Sequence, residues 1–87
     1  CVFTVIWRTD ALDLLADLYV TLDATHRAIL ASSVHAMNSA LYRDPTTVGR
    51  PRRRGHRIAV IPFLVVQFRI DDANQVVRVF RVRPTRS

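Results

Sequence analysis

The chain has 87 residues, 13 of them arginine and seven aspartate, with neither lysine nor glutamate, and a formal net charge of +6. Such a length makes one domain, residues 1–87, with a small core, burying only about 60–65% of its unfolded surface, and an apolar content of 49% is globular rather than disordered. One cysteine excludes a disulfide framework or cysteine-rich zinc site, two glycines exclude a glycine-rich dinucleotide or P-loop site, and no apolar run reaches the roughly 18–20 residues of a membrane span.

The start has no basic-then-apolar signal-peptide build, so a soluble cytoplasmic protein is expected. Charge is unevenly placed. Residues 1–48 hold three arginines against five aspartates, a net of −2, whereas residues 49–87 hold ten arginines against two aspartates, a net of +8. A half this basic predicts a polyanion or an acidic protein as partner. The plainer alternative is a solvated surface in a protein whose genes favour arginine codons. Either way the guanidinium matters: it is planar, forks to phosphate oxygens and stays protonated at ordinary pH.

Residues 2–7 (V-F-T-V-I-W) are β-branched and aromatic and predict a strand. Asp10 offers a helix N-cap, and Leu12, Leu15, Leu18 and Tyr19 recur at helical spacing, predicting a helix over 11–20. After a break at Thr21 to Asp23, Asp23 or Thr25 caps a second helix. Its buried stripe is Leu30, Val34, Met37 and Leu41, broadened by Ile29, Ala36 and Ala40. Asp44-Pro45 ends it, because the residue before proline avoids the α region. The short link between the helices implies an antiparallel hairpin.

Residues 46–55 read as a loop with a dense basic run, and the period then changes to two. Strands are predicted over 57–61, ended by Pro62, over 63–70, and over 75–83 after a turn at Asp71–Asn74. The last strand alternates imperfectly. Val77 and Val79 share a face that would next take Arg81, so a bulge near Phe80–Arg81 is needed to return Val82 to the core. Strand, helical hairpin and three-stranded antiparallel meander in one sheet make an α+β layer architecture. Its open face is expected to carry Arg57, Arg69 and Arg81, a crowding of like charge that is costly unless an anion binds.

This layout resembles the RelE/ParE superfamily of bacterial toxin–antitoxin toxins over nearly the whole chain. The resemblance rests on V-I-W-x-x-D-A-x-D-L-L at 5–15, R-D-P at 43–45, F-R-I-D at 68–71 and V-x-V-x-R-V at 77–82. It implies a small toxin held inactive by a short, acidic antitoxin. RelE-like members cut mRNA on the ribosome; ParE-like members poison DNA gyrase instead. By the same resemblance, Arg57 fits a basic position of the family's second strand, Arg81 the arginine of the R-V motif near the end of the fourth, and Arg86 a basic residue of the tail. An arginine early in the third strand is replaced by Leu64 or Val65, and a histidine common after the R-V motif is Pro84. These departures favour a gyrase-binding or catalytically degenerate member as the alternative.

RNA cleavage by 2′-hydroxyl attack needs a proton acceptor, charge stabilisation at phosphorus and a proton donor. Arginine supplies only the second. With lysine absent, His56, beside Arg57, is the best-placed proton carrier. The candidate catalytic set is therefore Arg57, Arg81, Arg86 and His56, with Arg52, Arg53, Arg54, Arg57, Arg69 and Arg83 as phosphate contacts. His26 and His35 read as exposed or packed helix residues. The three histidines lack metal-ligand spacing, so neither metal nor cofactor is expected. Trp7 is expected to pack under the helices, and no membrane partner is implied.

Overall fold

A computed structural model describes residues 2–52 and 55–85. Strand β1 (Thr4–Trp7) leads into helix α1 (Thr9–Thr21), then α2 (Ala24–Arg43) and a single 3-10 turn (Pro45–Thr47). Strands β2 (Arg50–Pro51), β3 (His56–Ile61), β4 (Leu64–Asp71) and β5 (Val76–Pro84) follow, and the sheet order is β1-β5-β4-β3-β2. The meander is antiparallel as expected, but β1 runs parallel to β5, so the sheet is mixed. The helices carry the chain from β1 at one edge of the sheet to β2 at the other, and the meander then returns it strand by strand to β5, which lies beside β1 and parallel to it.

The helices cover one face of the sheet. Ala11 and Leu15 of α1 and Leu30, Met37 and Leu41 of α2 form one cluster with Ala59, Leu64, Val66, Phe68, Val77, Val79 and Val82. The apolar stripes are narrower than expected: Leu12 and Ile29 are exposed at 47% and 42%, while Ala11, unanticipated, is buried. Trp7 packs against this core, its indole Nε1–H donating to Asn38 Oδ1 on α2 at 3.1 Å.

Local chemistry explains the element ends. Helix α1 starts at Thr9, one residue before the expected cap; Arg8 occupies the N-cap position without a side-chain bond. Asp10 instead pairs with Arg8 at 3.2 Å and accepts from the Ala11 N–H, an acidic group at the positive end of the helix. Asp23 does cap α2, accepting from the His26 N–H at 2.8 Å. Arg27, on the first turn of α2, donates through Nε to the Tyr19 carbonyl, which also accepts from the Leu22 N–H at the end of α1. Only Pro62 and Phe63 join β3 to β4. Phe63 takes φ +71°, and its ring meets the His26 imidazole edge-on at 5.2 Å. His26 is thus a partner of this turn as well as an exposed helix residue. In the β4–β5 turn Asp71 accepts from both the backbone N–H and the side-chain amide of Asn74. Gln75, expected in the strand, closes the turn at φ +53°.

Candidate nucleic-acid interface

The face of the sheet away from the helices is built by register. His56 stands opposite Arg69 and Arg69 opposite Arg78, while Ile6 on β1 stands opposite Arg78. The next row is Ile58, Gln67 and Arg81, and the third is Val60, Val65 and Arg83. The register slips between Gln67 and Phe68 where β5 holds one extra residue, Phe80. That bulge puts Phe80 and Arg81 consecutively on the open face and returns Val82 to the core, 5% exposed. The Phe80 ring lies 5.0 Å from the His56 ring, tilted 46°.

Arg57 is not on this face. It stands opposite the fully buried Phe68, on the side of the helices. Its guanidinium is engaged there: Nε donates to the Val48 carbonyl at 2.9 Å, and Nη2 to the Thr46 and Gly49 carbonyls at 3.0 and 3.1 Å. Arg57 is thus a clamp that holds the 46–49 loop, and through it β2, against the sheet edge. The expected trio of Arg57, Arg69 and Arg81 is corrected to Arg69, Arg78, Arg81 and Arg83. The physical reason is the period of two: the neighbour of an outward residue points inward.

The clamp still borders the face at its edge, since Arg57 lines a small hollow with Arg52, His56 and Gln67. Arg53, Arg54 and Arg86 lie outside the described residues. Leu64 is fully buried in the core, so the open-face position early in β4 belongs to Val65, opposite Arg83. Pro84, opposite Leu64, ends β5.

The electrostatics are one-sided. Among the described residues the ion pairs are Arg8–Asp10 and His26–Asp23, so none of their carboxylates lies within 4.0 Å of the Arg69, Arg78, Arg81 or Arg83 guanidinium. Asp71, at the end of β4, is held below its ordinary carboxylate value chiefly by the Asn74 side chain and backbone, with Arg78 adding a weaker pull. Asp44 is lowered likewise by Thr46 side-chain and backbone bonds, and more weakly by the Arg57 charge. No group of three or more His, Cys, Asp or Glu side chains among the described residues could hold a metal ion. No helix among them is long and apolar enough to cross a membrane.

Sequence reasoning passed over Arg78 and Phe80. The signal for Arg78 was present: between Val77 and Val79, both core residues, it must point outward. Phe80 followed from the bulge itself, which gives two neighbouring residues the same face.

Two helices on one side of a small mixed sheet, with an arginine-lined open side, define a compact α+β fold whose bare face suits a polyanion. No protein-family profile and no curated protein matches the chain. Among solved structures it is similar to the RelBE2 toxin–antitoxin complex from Mycobacterium tuberculosis. The identity is 30% and the TM-score 0.70, over 98% of this chain and 100% of that one. It is also similar to the chromosomal ParDE toxin–antitoxin system from P. aeruginosa, with 19% identity and a TM-score of 0.66 over 98% of both chains. At that lower identity the likeness concerns the fold alone. The chain belongs to the RelE/ParE family of toxins.

Proposed function

We propose that this chain is the toxin of a type II toxin–antitoxin pair, that it cuts mRNA on the ribosome, and that a short acidic antitoxin holds it inactive. The observation that carries the reading is the set of arginines on the open face, Arg69, Arg78, Arg81 and Arg83, unmatched by any carboxylate among the described residues, with His56 in the row of Arg69 and Arg78. Uncompensated like charges directly opposite one another cost stability. Binding a phosphate backbone turns that cost into affinity. Arg81 stabilises the charge that develops at phosphorus, as a preorganised donor does for any oxyanion. His56 is the described residue of this face whose imidazole can both accept and donate a proton. The antitoxin half of the reading draws on the similar RelBE2 structure, which is a toxin–antitoxin complex.

Primer extension on mRNA in a translation extract tests the claim. Ribosome-phased cuts are expected with the wild-type chain, to be lost in Arg81→Ala and strongly reduced in His56→Ala. Uncut mRNA at doses that arrest growth refutes it.

A gyrase-binding or catalytically degenerate toxin is the second reading. Val65 and Pro84 favour it, since both stand where polar residues are expected in an RNA-cutting relative. Inhibition of gyrase supercoiling by the wild-type chain, with mRNA left intact, would establish it.

A further inference from the structure

The first row of the open face borders a hollow that the cleavage reading uses only through His56 and its neighbouring arginines, leaving Ile6 and Phe80 without a role. It has a volume of about 420 Å³ and is lined by Ile6, Arg8, His56, Arg69, Arg78 and Phe80. This is within the size range of small-ligand sites. Its walls differ in character. Ile6, 40% exposed, and the Phe80 ring form an apolar side; Arg69 and Arg78, opposite one another on β4 and β5, form a cationic side. Neighbouring strands are about 4.8 Å apart, so the two guanidinium groups can share one phosphate. Asp71 and Asp72 border the same two arginines from the turn, but neither lies within 4.0 Å of them, and the Asp71 carboxylate is spent on Asn74. The Phe80 ring is held in place by His56, 5.0 Å away.

We infer that this hollow is a nucleotide subsite: a base of single-stranded RNA stacks on Phe80, and the adjoining phosphate sits between Arg69 and Arg78. An acidic peptide would satisfy the arginines but leave the Phe80 and Ile6 wall without a flat partner, whereas a nucleotide uses both walls. The inference deepens the RNA reading above and rests on it for its biological setting. In that setting the subsite positions one nucleotide of the message relative to Arg81 on the adjoining row, and so selects the base beside the cut.

The test uses binding without cleavage. A fluorescein-labelled octanucleotide of 2′-O-methyl RNA lacks the attacking hydroxyl, so its affinity for the full chain is read by anisotropy over a range of salt. Phe80→Ala is expected to weaken binding about tenfold to a hundredfold, as loss of one base–aromatic stack does. Phe80→Tyr restores it. An abasic position in the oligonucleotide should cost the wild type a similar factor and cost Phe80→Ala nothing more. Arg78→Ala should lower the slope of log affinity against log salt by about 0.7, the value of one single-strand phosphate contact, and Arg78→Lys should keep it.

Thermal melts by circular dichroism confirm that each variant folds. Unchanged affinity in Phe80→Ala overturns the inference, as does an equal loss in that variant towards an oligo-aspartate peptide, or a wild type that does not bind the RNA at low salt. If Phe80 and Arg78 govern binding but no mRNA is cut, the cleavage reading falls alone. If Arg81-dependent cuts persist and these variants bind as wild type, the subsite falls alone.

Discussion

Replacing Arg57 with alanine separates a phosphate ligand from a structural clamp. Its three hydrogen bonds hold the Thr46, Val48 and Gly49 carbonyls, one of them in a partly buried setting and two exposed. Taking about 1 kcal/mol for the sheltered bond and about 0.5 kcal/mol for each exposed one gives a loss of about 2 kcal/mol. In a domain of this size that corresponds to a fall in Tm of roughly 8–16 °C. Arg57→Lys should recover only part, because one ammonium cannot span the positions that Nε and Nη2 reach together. The assay is a thermal melt followed by circular dichroism, paired with the salt dependence of RNA binding. The clamp predicts a lowered Tm and an unchanged salt slope for the variant measured below its melting point. A free surface arginine predicts the reverse: stability within about 0.5 kcal/mol, and a slope reduced by about 0.7. A wild-type Tm in Arg57→Ala together with that reduced slope would refute the clamp.

Gly49→Ala should be more damaging than Gly55→Ala in the same melt. Both glycines have positive φ, but a Cβ on Gly49 runs into the Ile58 carbonyl oxygen, whereas one on Gly55 meets open space. The second change should cost only the left-handed strain of about 1 kcal/mol, while the first should also detach β2. Acid should destabilise the fold through Asp44 and Asp71. Both have folded values below the ordinary 3.8, so the stability they confer is fully present above that value and is lost as pH falls through the lower folded ones. Urea midpoints measured from pH 6 downward should therefore fall on the acid side, and the fall should be shallower in Asp44→Asn; an identical acid limb in that variant would exclude Asp44 as a contributor.

Much of the fold was legible because its signals are local. Asp23 caps α2 through a bond to a residue three positions on, and Pro45 ends that helix by sterics within one peptide unit. The bulge in β5 was readable from valines that would otherwise change faces, and Phe80 sits there. The parallel course of β1 was not readable, since strand direction depends on where the two helices deliver the chain.

The candidate site shows the same division more sharply. Composition and charge alone located an arginine-rich half, and the absence of lysine left His56 as the proton carrier to consider. Which arginines face the same solvent was decided by the pairing of β3 with β4 across Pro62 and Phe63. That register sets Arg57 against Phe68 and His56 against Arg69. A shift of one residue would exchange the two faces. So the sequence by itself determined that this protein presents a field of fixed positive charge on an α+β scaffold. Only the tertiary structure decided that Arg57 turns inward to hold a loop while Arg78 and Phe80 join the open face. Side-chain type is a property of one residue, whereas the face it occupies is set by hydrogen bonds to a neighbouring strand.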